Sequence, residues 1–190
     1  MHYNIYKQTL LGLILFGLFH CNAQGQFNAK VEQVSINING ERRVGYKTVF
    51  DFSREEVRHS WWKYAKRFGR PINMKSYYKV IVPSSETDGN VDIEIIAQTS
   101  ETTKGSIFFL GLENEAYKEQ VKGILIDFKK DLYVKGLIRE IKSIENKCSE
   151  LAENYRKSRA GKFLDLIAKN QRKTEILKNE IIVIEKSNFL

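Results

Sequence analysis

Between Val31 and Leu112 apolar residues recur mostly at every second position, the period of a half-buried strand. Val34, Ile36 and Ile38 alternate with polar residues, and Asn39-Gly40 is a two-residue hairpin signal. Val44, Tyr46, Thr48, Phe50 and Phe52 form a return strand of β-branched and aromatic residues. The period then lengthens. Ser53-Arg54-Glu55-Glu56 fits a capping box, in which the Ser hydroxyl and the Glu carboxylate each satisfy a free backbone N–H. Val57, Trp61, Tyr64, Ala65 and Phe68 follow at helical spacing, and Gly69-Arg70-Pro71 stops the helix. Three more strands are expected at 74–82, 91–99 and 106–112, with turns at Asp88-Gly89 and Lys104-Gly105. The pattern predicts an α+β domain over residues 24–113, a small antiparallel sheet with one packed helix in the order β-β-α-β-β-β.

From residue 114 the chain has no proline, and the period becomes helical. Tyr117, Val121, Ile124 and Phe128 share one face; Val134, Leu137, Ile141, Ile144, Cys148, Leu151 and Tyr155 then step by alternating threes and fours. That stepping is a heptad seam, and Phe163, Ile167, Asn170, Thr174, Leu177, Ile181 and Ile184 resume it. A helix over 114–155 is roughly 60 Å long at 1.5 Å per residue, too long for a small core to cover. Residues 114–190 therefore read as a long helix or helical hairpin, a coiled-coil arm. Gly161 is the place for a left-handed cap and a fold-back. No proline or good N-cap follows it, so a continuous or kinked helix is the preferred expectation.

The first 23 residues belong to neither part. Lys7 precedes ten residues, Leu10 to Phe19, that are apolar or glycine, enough for a signal-peptide core but short of the ~20 that span a bilayer. Cys21-Asn22-Ala23 places small residues for cleavage before Gln24. The expectation is an exported, periplasmic protein; an uncleaved anchor and a lipoprotein acylated at Cys21 are the alternatives. Cleavage removes Cys21 and leaves Cys148 in the seam as the sole cysteine, so no internal disulfide or thiolate metal site is expected.

Charge changes this picture little. The formal net charge is +8, yet residues 24–112 hold 13 basic and 10 acidic side chains and 113–190 hold 17 and 13. Lysine and glutamate interleave along the arm as on a solvated coiled-coil exterior, and no one-signed stripe of a nucleic-acid binder stands out. His59 is the only histidine beyond the signal and lies off the apolar stripe of its helix, which excludes a two-His metal site. Asp88, Asn90 and Asp92 fail the calcium-loop pattern, with Ile93 where Gly is required and Thr99 in place of Glu. No phosphate-cradling glycine loop and no G-x-S-x-G elbow occurs. Neither a catalytic set, a metal site nor a cofactor is expected.

One surface stands out. Arg54, Arg58, Trp62, Lys66 and Arg70 recur every four residues along the first helix, a basic stripe with a tryptophan in its middle. It suits an anionic envelope component, a glycan or lipid headgroup, or a partner protein; an ordinary solvated face with Trp62 at the sheet margin is the bland alternative. The seam residues Leu137, Ile141, Ile144, Cys148, Leu151 and Tyr155 suit self-association or pairing with another helical protein, and Cys148 could oxidise against its copy in a parallel dimer.

The layout of Ala23-Gln24 at the signal junction, the final strand Ile107-Phe108-Phe109-Leu110-Gly111-Leu112 and the long Lys/Glu-rich helix resembles a group of uncharacterised exported proteins from Bacteroidetes-type bacteria. The resemblance implies export and this architecture, and brings no catalytic residues. The expected function is a non-enzymatic envelope protein, a recognition or docking domain with a coiled-coil arm. A periplasmic small-molecule or lipid-binding protein is the alternative, with Tyr77, Tyr78, Phe108 and Phe109 lining a site under the first helix.

Overall fold

The computed structural model describes Phe27 and residues 30–83, 92–112 and 115–187. The signal segment, Cys21 and the turn at Asp88-Gly89 lie outside the described residues. Asn39 and Gly40 both take positive φ, 54° and 86°, the backbone of a type I′ turn whose twist matches the strands it joins. Asn37 Oδ1 accepts the Gly40 N–H at 2.9 Å and tightens it. Strand β1 (Glu32–Ile38) thus folds back on β2 (Glu41–Phe50). Helix α1 (Arg54–Ala65) and strands β3 (Arg70–Asn73), β4 (Tyr78–Val82), β5 (Ile93–Thr102) and β6 (Gly105–Leu112) follow. The six strands form one antiparallel sheet in the order β1-β2-β6-β5-β4-β3.

The fold class is α+β, as the pattern indicates, with one strand more than expected. The strand anticipated at 74–82 begins only at Tyr78, because its first residues form a turn in which Lys75 adopts φ 69° and donates its N–H to Asn73 Oδ1 at 2.9 Å. The residues before that turn pair with β4 as β3, and Pro71 is tolerated because β3 is the sheet edge, where a missing N–H breaks no ladder. The capping box is half made. Ser53 Oγ accepts the Glu56 N–H at 3.2 Å, but the Glu56 carboxylate pairs with Arg139 at 2.7 Å. Gly45 faces Gly111 across β2 and β6, and a Cβ on Gly45 would stand 2.1 Å from the Leu110 carbonyl, so no side chain fits there.

Helix α2 (Lys118–Ser158) begins after a single 3-10 turn and does two jobs along its length. Its first part buries Val121, Leu125, Phe128 and Leu132 against the same sheet face as α1. Trp61 of α1 sits at the centre, with ring centroids 5.2 Å from Phe108 and Phe128. One core therefore runs across the expected boundary at residue 113. Truncating a buried aromatic of this kind costs about 3–5 kcal/mol.

From about Lys130 onward, α2 pairs with helix α3 (Lys162–Lys186), which returns antiparallel to it: Lys173 meets Glu140 at 2.7 Å, and Lys130 Nζ donates to the Ser187 carbonyl. The expectation of a continuous or kinked helix is corrected here. The reversal is made by Arg159, in the left-handed region at φ 55°, whose N–H bonds the Tyr155 carbonyl at 2.8 Å. Gly161, the residue that the sequence marks for that role, is right-handed at φ −56° and stands at the start of α3. Among the described residues no helix is long and apolar enough to cross a membrane.

Candidate interaction surface

Helix α1 packs over β5 and β6 and touches β3 at the sheet edge, and on that side its Trp62 meets Tyr78 of β4, a strand whose side chains alternate between the two sheet faces. Tyr78, Val80 and Val82 point to the helix side, and the first of them completes an arrangement on α1. The Tyr78 and Trp62 ring centroids are 5.5 Å apart at an interplanar angle of 48°. Arg58 Cζ stands 5.1 Å from the Tyr78 centroid, and Lys66 Nζ 5.2 Å from that of Trp62. The result is a four-member ladder, cation–ring–ring–cation. Each cation–ring contact is worth ~0.5–1 kcal/mol at an exposed site.

The ladder is braced at one end. Arg58 also donates to the Lys75 carbonyl at 3.3 Å, which ties α1 to the β3–β4 turn that the left-handed Lys75 makes. Tyr78 is buried, Trp62 half-buried and Lys66 exposed, so the rings form a floor and the charges stand toward water. Neither Arg58 nor Lys66 has a carboxylate partner among the described residues, whereas Arg67, Lys79 and Arg139 pair with Asp131, Glu94 and Glu56.

The predicted stripe is thus brought together in part. Arg58, Trp62 and Lys66 are joined; Arg54 turns to the sheet and donates to the Thr99 carbonyl at 3.2 Å, and Arg70 stands exposed at the start of β3. Tyr78 is the member that the sequence stripe misses. The period-two pattern of β4 places it on the helix side, but which strand lies beside α1 is a matter of sheet order. His59 is exposed on α1.

The seam residues take their places between α2 and α3. Leu137, Ile141 and Ile144 are buried, and Cys148, Leu151 and Tyr155 are half-buried toward the reversal. On the α3 side Thr174, Leu177 and Ile184 are buried, and the Asn170 amide nitrogen is enclosed without an acceptor. The heptad faces of one chain therefore cover each other. Of the four residues considered as ligand lining, Tyr78 and Phe108 belong to the helix-side core, while Tyr77 and Phe109 pack on the opposite sheet face with Ile38 and Ile96. A cleft between β2 and the start of α2, lined by Val44, Tyr46, Leu112 and Val121, has a volume of about 20 Å³, the scale of a water molecule.

A second cluster has no counterpart in the sequence reading. Lys129 of α2 is 3% exposed, with its ammonium 5.5 Å from the Phe50 ring centroid and 5.9 Å from that of Phe27. Its Nζ donates to Thr48 Oγ1 at 2.9 Å, and that hydroxyl donates on to the Lys30 carbonyl at 2.8 Å. Burial lowers the Lys129 amine to about 8, against the opposing pull of Asp51. Tyr133 donates to Asp51 Oδ2 at 2.9 Å and is held well above the usual phenol range, first by burial and then by that bond. Among the described residues no group of acidic, His and Cys side chains is placed to hold a metal ion. No family model matches the chain, and neither a curated protein nor a solved structure does.

Proposed function

We propose that this chain is a non-enzymatic docking protein of the cell envelope, in which the Arg58–Tyr78–Trp62–Lys66 ladder receives an anionic envelope component. The observation that carries the reading is the pair of cations held over the buried Tyr78 and half-buried Trp62 rings, with no carboxylate partner among the described residues. Fixing both side chains in advance lowers the ordering cost of binding, and leaving them unneutralised preserves their attraction for an anion. Lys66, the C-cap residue of α1, stands eight positions after Arg58, about 12 Å of helical rise, so a ligand with two or more acidic groups engages both. The Lys7-led apolar segment supports export, and the α2–α3 hairpin serves as a spacer arm that projects from the sheet domain.

Intrinsic tryptophan emission reports the event, because Trp62 is half-buried within the ladder and Trp61 is fixed in the core. Titration with an acidic polysaccharide, a neutral polysaccharide and vesicles of anionic lipid separates the sources of anionic charge. Saturable binding to the acidic polysaccharide or to the vesicles, weakening as salt is added, supports the proposal. Binding to neither, or equal binding to the neutral polymer, overturns it.

A further inference from the structure

We infer that the outer face of α3 around Ile176 is a self-association surface, which receives the same face of a second copy running antiparallel. Six of the large exposed apolar residues lie on the helical hairpin: Ile138, Leu164, Leu166, Ile176, Ile182 and Val183. Ile176 and Val183 are the most open, at 66% and 67% exposure. They are one heptad apart, within about 20° of each other around the helix, on the side away from the seam residues Thr174 and Ile181. The seam is already closed against α2, so this second stripe is the apolar face that the hairpin leaves over.

The charges around it indicate what covers it. Arg172 lies one turn before Ile176 and Glu180 one turn after, giving a cation, an apolar centre and an anion in line. Their neighbours are already paired within the chain, Lys173 with Glu140 and Lys178 with Glu175. Arg172 and Glu180 have no ion-pair partner among the described residues. A two-fold contact places residue i on j of the partner and j on i, so the patch must complement itself. This one does when the helices run antiparallel about Ile176. Arg172 of each copy then meets Glu180 of the other, the two Ile176 side chains meet at the axis, and the Lys169 stem covers Val183. A parallel arrangement sets Arg172 on Arg172 and is repulsive. One helix stripe is smaller than the ~800 Å² per partner of a standard interface, so the dimer is weak and reversible. The surface lies on the arm and does not depend on what the ladder binds.

Sedimentation of the full chain over a concentration series tests the inference. A monomer–dimer equilibrium is expected, and Ile176→Asp abolishes it with helical content unchanged, since Ile176 touches water rather than core. Arg172→Glu and Glu180→Arg each turn two attractive pairs into repulsive ones and weaken the dimer about tenfold, while the double exchange restores it. A wild-type chain that stays monomeric at every concentration overturns the inference. So does a dimer indifferent to Ile176→Asp, or a double exchange no tighter than the single ones.

Discussion

The Lys129 ammonium donates to the Thr48 hydroxyl at 2.9 Å, inside a box of aromatic rings at the junction of the long helix and the sheet. A buried cation is costly even when hydrogen-bonded, because it leaves water behind. Folding lowers the amine from 10.5 to about 8, so the folded state disfavours the proton that the unfolded chain still holds. The penalty is therefore complete below pH 8, fades as pH rises, and is gone above 10.5. Tyr133, held above the usual phenol range, opposes this trend as pH passes 10, but it does so equally in wild type and variant and cancels from their difference. Lys129→Met should stabilise the protein near pH 7 by up to about 3 kcal/mol, since each tenfold change in proton affinity is worth about 1.4 kcal/mol. Denaturant melts from about pH 7 to 11 should show wild type gaining on the variant as the amine loses its proton. Parallel profiles would contradict the burial argument.

Arg159 carries the reversal between α2 and α3 in a left-handed conformation that costs a side-chain-bearing residue about 1–2 kcal/mol. Arg159→Gly should raise hairpin stability by up to about 1 kcal/mol, the cost of strain less the added freedom of the unfolded chain. Gly161→Ala should also stabilise, by about 0.5 kcal/mol, since Gly161 is right-handed and a Cβ there meets open space. Were Gly161 the left-handed cap, the alanine variant would lose stability instead. Thermal melts of the two variants separate these geometries.

Ile144 is buried where α2 faces α3. Ile144→Asp puts an unpaired carboxylate into that contact and should cost about 3 kcal/mol or more, in the range of the severe core substitutions. The expected outcome is loss of helical circular dichroism and earlier melting. A fully folded variant with only its mass changed would mean that the seam faces another chain.

Much of this architecture is legible in the residues, for identifiable reasons. Alternation locates β1, β2, β5 and β6 because each lines a sheet face with apolar residues, those of β1 on the face away from the helices, and Asn39-Gly40 names its own turn. Stepping by threes and fours marks both seam faces, but periodicity says only that a face is apolar and not which helix covers it. Hence the hairpin is not the form that the pattern favours, and the fold-back at Arg159 carries no glycine to announce it. The added strand β3 comes from Arg70–Asn73, which the pattern reads as the end of the helix, and the turn that leads it into β4 rests on Lys75, a residue with no special turn propensity. At the candidate site, spacing along one helix brings out Arg58, Trp62 and Lys66, while Tyr78 enters from a strand that becomes their neighbour only in the folded sheet. Lys129 is hidden from any pattern of spacing, since a lysine between apolar positions reads as solvated.

The ladder gives a prediction about ring and charge separately. Trp62→Ala removes the floor under Lys66 and the neighbour of Tyr78, so it should weaken anion binding while leaving Arg58 on the Lys75 carbonyl. Trp62→Phe keeps a ring and should retain most of the affinity. Isothermal titration of both variants against the acidic ligand checks this ordering; a Phe variant as weak as the Ala variant would assign the role to the indole alone.

The central claim is that Arg58 and Lys66 together recognise an anionic envelope component, and its most direct test is the affinity of the Arg58→Ala/Lys66→Ala double variant for an acidic polysaccharide or anionic vesicles. Affinity should fall about tenfold or more, with a shallower salt dependence and a melting temperature within a few degrees of wild type, and the exposed His59→Ala serves as an unaffected control. Equal affinity and equal salt dependence in the double variant and wild type would contradict it.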